Sequence, residues 1–472
     1  MGSLKLDRGM FVLWLGMMLM IVPHIAEAHI QLSLVFTSKM VLQRNKPVPV
    51  WGTGHPGERV TVKMGLQTVS TTTDARGRWR VTFRPFRGGA SYTLTVSGHH
   101  RIVLRDVLVG EVWLCSGQSN MQWPLRWSNG GKAAIAKANY PLLRLFHVRI
   151  NRARSPQTRV YKSWRYGNWM YPSPATVRHF SAACYFFGMR LQEKLGVPVG
   201  LIQSTVGGTR VEAWTPRPAL QKTPQLRWVL RGQRRLTYNS PSVLYNAMIA
   251  PLIPFALQGV VWYQGESNIA WAEQYTTAFS TMIRSWRRRW GQGNFPFLFV
   301  QIAPYRYQGM AHDRYNKLCE AQVETWKKVP NTAMISTHDI SNLRDIHPRN
   351  KSEVGRRLFL AAMSQAYKRK KVYFSGPIYR SVTRKGKRLL VRFTHTDGGL
   401  VIRGKKLLHI EVAGVNRVFV PAQARIVGNA LEVWSSRVLR PVAARLAWRD
   451  DAIHNLYNRM GFPASTFRTD RW

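Results

Sequence analysis

Four short stretches of this sequence carry residue types suited to chemistry at an ester carbonyl. Cys115-Ser116-Gly117-Gln118-Ser119-Asn120-Met121 sets a serine hydroxyl two residues after a glycine. Gln203-Ser204-Thr205-Val206-Gly207-Gly208-Thr209-Arg210 contains a glycine pair, and Gln264-Gly265-Glu266-Ser267-Asn268 is rich in side-chain amides. Asp345-Ile346-His347-Pro348 places an imidazole two residues after an acid. Acyl transfer needs a nucleophile, a base, a group that orients the base, and donors for the oxyanion. Ser119 is the candidate nucleophile. His347 is the candidate base, because imidazole titrates near neutral pH, and Asp345 is its nearest carboxylate in sequence. Gly207 and Gly208 allow close backbone approach and offer N–H groups, and Gln264 or Asn268 adds an amide donor. Loss of one such donor typically lowers the rate by about 10²–10³-fold. Arg210, Glu212 and Trp214 either contact substrate or brace the loop beyond the glycine pair. No His, Cys, Asp or Glu cluster has metal-ligand spacing, so neither a metal nor a cofactor is expected.

Singly, each of these signals is weak: a serine after a strand is commonly a turn or a helix cap, and a glycine pair commonly a turn. Their placement strengthens them. Val109–Leu114, Val197–Ile202, Gln258–Tyr263 and Phe295–Val300 read as buried strands, and periodic segments at Ala182–Leu195 and Glu273–Arg289 read as helices. That alternation predicts an α/β domain, a mostly parallel sheet with helices on both faces. Ligands of such sheets bind beyond the carboxyl ends of the strands. The first three stretches fall at those ends.

Before Leu108, short alternating runs at Val48–Trp51, Arg59–Val62, Trp79–Thr82 and Tyr92–Val96 predict a small β-sandwich. Gly52-Thr53-Gly54-His55-Pro56-Gly57 fits a dinucleotide fingerprint but leads into another strand rather than a helix, so it reads as a turn. After Val372 the short strands return: Leu389–Phe393, Leu408–Val412, Val418–Val420, Leu431–Trp434 and Ala443–Trp448. The expected division is a signal peptide at 1–28, a β-sandwich at 29–107, the α/β domain at 108–372 and a second β domain at 373–472.

The N-terminal expectation rests on Lys5 and Arg8, the apolar run Met10–Val22 and the small residues of Ala26-Glu27-Ala28. The run is shorter than the about 20 residues a membrane span requires. An exported protein, periplasmic or secreted, with no transmembrane segment after cleavage is therefore expected. Three cysteines, Cys115, Cys184 and Cys319, allow one disulfide and a leftover thiol. With 70 Lys and Arg against 22 Asp and Glu, the formal net charge is +48. The basic residues are spread along the chain, which fits a solvated surface first and an anionic glycan partner second. Specific nucleic-acid binding is not expected.

The order Ser, Gly, Asn and a late His after an acid resembles the SGNH hydrolases, and no G-x-S-x-G occurs. Leu108–Trp123, Gly207–Trp214, Gly259–Asn268 and Asp345–Lys351 resemble the sialate O-acetylesterase family. So do the flanking segments Met40–Trp51 and Asn455–Trp472. The resemblance implies an SGNH-like catalytic domain, a serine esterase acting on O-acetylated carbohydrate (sialic acid or a polysaccharide such as xylan), and Ser119 with His347 as catalytic core. It also supplies Glu266 as an alternative to Asp345 for orienting His347. Val206 stands where the resemblance implies a tryptophan. The rival reading is a glycan-binding protein with a vestigial esterase site.

Overall fold

The computed structural model describes residues 30–163, 166–231 and 235–472. The expected signal peptide lies outside the described residues. Among the described residues no helix is long and apolar enough to cross a membrane.

The chain opens with β1 (Gln31–Leu32), β2 (Val41–Gln43), β3 (Val48–Thr53), β4 (Arg59–Met64), β5 (Gln67–Thr72), β6 (Arg78–Phe83) and β7 (Ser91–Ser97). These strands form two facing layers, β1-β3-β6 and β5-β4-β7, closed on a core that includes Val50, Val60, Val62, Phe83, Leu94 and Val96. The Gly52–Gly57 segment joins β3 to β4 as a turn, with no helix. The next strand, β8 (Arg101–Gly117), is 17 residues long. Its first half pairs with β7 in the sandwich. Its second half is the middle of the parallel sheet. The division expected between residues 107 and 108 thus falls inside one strand, and both units draw on one continuous core. Burial changes from alternating to continuous at Val107, where β8 leaves a half-exposed sheet for one covered on both faces.

The sheet is completed by β9 (Leu143–His147), the antiparallel edge β10 (Trp169–Met170), β11 (Val199–Thr205), β12 (Gly259–Tyr263), β13 (Phe297–Val300) and β14 (Thr332–Ile335). The spatial order is β10-β9-β11-β8-β12-β13-β14. The helices are α1 (Ser119–Gln122), α2 (Gly131–Ala136), α3 (Pro174–Val177), α4 (Ala182–Leu195), α5 (Arg217–Lys222), α6 (Ala272–Trp290), α7 (Arg314–Lys328) and α8 (Lys351–Gln365). Trp113 packs edge-on against Phe187 of α4, and Cys115, two residues on, is disulfide-bonded to Cys184 of the same helix. Trp262, level with Ser116 in the register, turns the other way onto Phe279 and Trp286 of α6. Helices therefore cover both faces of the sheet, as expected.

The strands beyond Ile378 form two four-stranded sheets and a two-stranded ribbon around a separate core that includes Val391, Val412, Leu431 and Leu446. This unit is fastened to the α/β unit by Gln301 Nε2 on Ser465 Oγ (2.8 Å), Asn316 Nδ2 on the Ala447 carbonyl (2.7 Å) and an Arg468–Glu320 ion pair (2.9 Å).

The register sets the ends of five strands side by side: Thr205, Gly117 and Tyr263 are level, then Val300 and Ile335. The segments that follow β11, β8 and β12 must emerge together.

The Cys115–Cys184 bond joins the central strand to α4 across a long loop, and such links stabilise by about 2–5 kcal/mol. Replacing both cysteines by alanine is expected to lower the unfolding free energy by that amount in urea titrations; unchanged stability would contradict it.

Candidate active site

Gly117, the last residue of β8, adopts a φ of +134°. A Cβ there would lie 2.2 Å from the Tyr263 carbonyl oxygen. Only glycine lets β8 approach β12 so closely and then turn sharply. Ser119 follows as the first residue of α1, and its backbone N–H has no protein acceptor among the described residues. The turn is keyed by side chains. Gln118 Oε1 accepts from the Gly265 and Ser267 amides (3.4 and 3.2 Å). Asn120 Nδ2 donates to Glu266 Oε1 (2.6 Å) and to the Ile346 carbonyl (3.0 Å).

His347 Nε2 lies 2.9 Å from Ser119 Oγ. Its ring stacks on Trp123, with centroids 4.9 Å apart and planes 24° apart. Asp345 Oδ1 accepts the backbone N–H of His347 at 2.9 Å and stands 3.6 Å from Nδ1. Burial and the charge of Lys351 hold the imidazole below its ordinary value of 6.5, while Asp345 opposes them. Glu266, the alternative orienting carboxylate, is directed elsewhere: its Oε1 is held by Asn120 and its Oε2 is buried without a protein partner among the described residues. Burial pushes its carboxyl above the usual range.

The glycine pair sits beside Ser119. A Cβ on Gly207 would come 3.3 Å from Ser119 Cβ, and the Gly207 N–H donates to Gln122 Oε1 at 2.7 Å. Gly208 turns the chain with a φ of +69°, and its carbonyl accepts from Asn239.

Gln264 and Asn268 depart from the expected role of oxyanion donors. Gln264 Nε2 donates to the Thr209 carbonyl and to Asn268 Oδ1, and Asn268 Nδ2 donates to both carboxylate oxygens of Glu212 (3.1 and 3.0 Å). Both side chains are buried, and a buried amide is placed by whichever partners satisfy it. Glu212 and Trp214, expected as either sugar contacts or braces, are both buried: Glu212 lies against Asn268, and Trp214 has its Nε1 on Thr209 Oγ1. Arg210 remains partly accessible and lies 3.8 Å over the Trp271 ring, which stacks on Trp228.

A cavity of about 590 Å³ opens over Ser119 and His347. Its walls include Trp123, Trp127, Tyr166 and Phe180, with polar groups from Gln122, Arg126, His147 and His179. Arg126 Nη1 lies 2.7 Å from His179 Nδ1. Burial, then the neighbouring His179, brings His147 down to about 4, so it stays neutral at physiological pH. Elsewhere, His312, Asp450 and Asp451 meet where the C-terminal unit joins the α/β unit. Asp450 accepts the Tyr307 amide and contacts His312, and Asp451 pairs with Arg449.

A family model described as carbohydrate esterase, sialic acid-specific acetylesterase, matches residues 109–364. The chain belongs to this family. The esterase is 33% identical over 411 residues to the sialate O-acetylesterase of Mus musculus, covering 73% of this chain and 74% of that protein. It is 33% identical over 381 residues to the sialate O-acetylesterase of Homo sapiens, covering 72% and 71%. Among solved structures, a carbohydrate acetylesterase from Xanthomonas citri superposes with a TM-score of 0.87 at 37% identity, covering 94% of this chain and all of that one.

Sequence reasoning gave no role to several residues of the esterase's site. Gln122 and Trp123 follow Ser119 by three and four positions, so a helix starting at Ser119 would have put them on its face. Nothing in sequence joins His147, at the end of β9, to His179 before α4; only the fold does.

Asn268 supplies the donors that favour the Glu212 anion, whose carboxyl burial already pushes upward. Asn268→Leu should destabilise the esterase by about 1–3 kcal/mol. The loss should grow as pH rises, since a raised carboxyl is charged only at higher pH and then lacks its donor. Urea unfolding at pH 5 and pH 8 checks this; equal losses would contradict it.

Proposed function

We propose that this carbohydrate esterase removes O-acetyl groups by a serine mechanism in an SGNH-like site. Ser119 is the nucleophile and His347 the base, oriented by Asp345. The observation that carries this reading is the 2.9 Å approach of His347 Nε2 to Ser119 Oγ at the floor of an open cavity. With the Ser119 hydroxyl donating to Nε2, the ring's other nitrogen carries its proton on the Asp345 side. Oγ attacks the acetyl carbonyl as its proton passes to Nε2. The oxyanion forms against the Ser119 N–H and against the Gly207 N–H, where the carbonyl oxygen takes the place of Gln122 Oε1. The imidazolium then protonates the departing sugar oxygen. Water, deprotonated by His347, attacks the acetyl-serine and releases acetate, restoring the hydroxyl. A vestigial glycan-binding site is the weaker reading, because a nucleophile and base at hydrogen-bond distance serve no purpose in binding alone.

The substrate we favour is an acetylated sugar bearing a carboxylate. Arg126 lines the cavity, the net charge is +48, and the curated relatives are named for sialate. Trp123, Trp127 and Tyr166 line the cavity with aromatic surface suited to a pyranose, and Arg210 on Trp271 lies beyond the glycine pair. Export fits the Cys115–Cys184 disulfide, which an oxidising compartment maintains.

Ser119→Ala should abolish acetate release from acetyl esters by roughly 10⁴-fold or more with the fold intact; retained turnover would refute the mechanism. Because His347 must be neutral to accept the proton and is held below 6.5, kcat/KM should fall only as pH drops through a value lower than 6.5. An acid limb at or above 6.5 would contradict this. Arg126→Ala should raise KM about tenfold or more for an acetylated sialic or uronic acid. KM for a neutral acetylated xylo-oligosaccharide should be nearly unchanged. Equal effects on both would favour the neutral polysaccharide as substrate.

A further inference from the structure

Behind Ser119 lies a buried charged cluster that the acyl transfer just described does not use. Lys351, the first residue of α8, is fully buried, and its Nζ donates to Asn120 Oδ1 at 2.5 Å. The other end of the same amide donates to Glu266 Oε1 and to the carbonyl of Ile346, the residue before His347. One asparagine, next to the nucleophile, therefore bridges a buried cation and a buried carboxylate while gripping the histidine loop.

An asparagine amide can rotate to exchange its oxygen for its nitrogen when its partners permit both. Here they do not. Rotation would press amide hydrogens against the Lys351 ammonium and the amide oxygen against Glu266. Burying such charges is costly, and apolar residues of the same size would pack about as well. What the pair supplies is direction: it fixes which end of Asn120 faces the Ile346 carbonyl.

We propose that Lys351 is a positioning residue of the esterase: with Glu266 it locks Asn120, whose amide holds the Ile346 carbonyl and so seats His347 against Ser119. The assignment rests on the reading of Ser119 and His347 as nucleophile and base. It also gives Lys351 an electrostatic effect on the imidazole. The charged groups facing His347 are Asp345 and its partner Arg349 from the same loop, Lys351 from α8, and Glu266 behind Asn120. Burial brings Lys351 down to about 7, with Glu266 and Asp345 opposing. Lys351 thus carries its charge on the acid side, where His347 titrates. Removing that charge lets His347 bind its proton more tightly and moves the acid limb to higher pH.

The test uses the full chain and p-nitrophenyl acetate, comparing Ser119→Ala, Lys351→Met, Glu266→Gln, the Lys351→Met/Glu266→Gln double variant and Asn120→Asp. Lys351→Met should lower kcat by roughly 10²-fold, the scale of a small misplacement of reacting groups. KM should stay close to the parent value, and the acid limb of kcat/KM should move to higher pH. The double variant should lose less than the product of the single losses, because the two residues act on one amide. Asn120→Asp keeps the contact with Lys351 but loses the donor to Ile346, and should lower kcat with KM little changed; it carries the same test if Lys351→Met does not fold. An unchanged kcat and acid limb in folded Lys351→Met, even with a lowered unfolding midpoint, overturns the proposal, as does an unchanged kcat in Asn120→Asp. An active Ser119→Ala variant would instead overturn the reading of the site on which the proposal rests.

Discussion

One hydrogen bond, 2.9 Å between a serine oxygen and an imidazole nitrogen 228 residues apart in sequence, sets the terms for the rest of the molecule. Neither residue can hold the other, since a single bond between two distant chain segments does not offset the entropy of ordering them. The parallel sheet supplies the order. Its register brings the ends of β11, β8 and β12 level, so the turn carrying Ser119, the glycine pair and the Gln264–Asn268 segment leave the sheet side by side. Gly117 permits the closest of these approaches, and Asn120 reaches across to the loop that carries His347.

Around that bond the protein uses polar groups where apolar ones would pack as well. Gln118 ties the turn before Ser119 to the segment after β12. Gln264, Asn268, Glu212, Thr209 and Trp214 form a connected network beneath the glycine pair. A fully satisfied buried network of this kind rigidifies the loops it joins and specifies one conformation. The β-sandwich contributes in another way. It shares β8 with the parallel sheet, so the strand that presents Ser119 is anchored in two layers rather than one.

Much of this was legible in the sequence, for physical reasons. Continuous apolar runs marked the parallel strands and alternating runs marked the sandwich, because burial on two faces or on one writes a different pattern. The same rule blurred the boundary at β8, where a single strand obeys one pattern up to Asp106 and the other from Val107. Gln264 and Asn268 have the chemistry of oxyanion donors, yet buried amides take the partners the fold brings, and here those are Glu212 and Thr209. Nothing in the sequence marks Lys351 as buried, because lysines are rarely fully buried and sequence does not show which one is. The cavity's histidines and Arg126 come from separate segments and meet only in the folded chain.

In the proposed mechanism Ser119 carries the acetyl group between the two half-reactions. The direct measurement is acid-quenched turnover of an acetyl ester followed by proteolysis and mass spectrometry of the peptide containing position 119. An acetyl group on Ser119 in the parent enzyme, absent from the same peptide in Ser119→Ala, is the expected result. Steady turnover with acetyl on a different residue, or with no covalent species under conditions where deacetylation limits the rate, would contradict it.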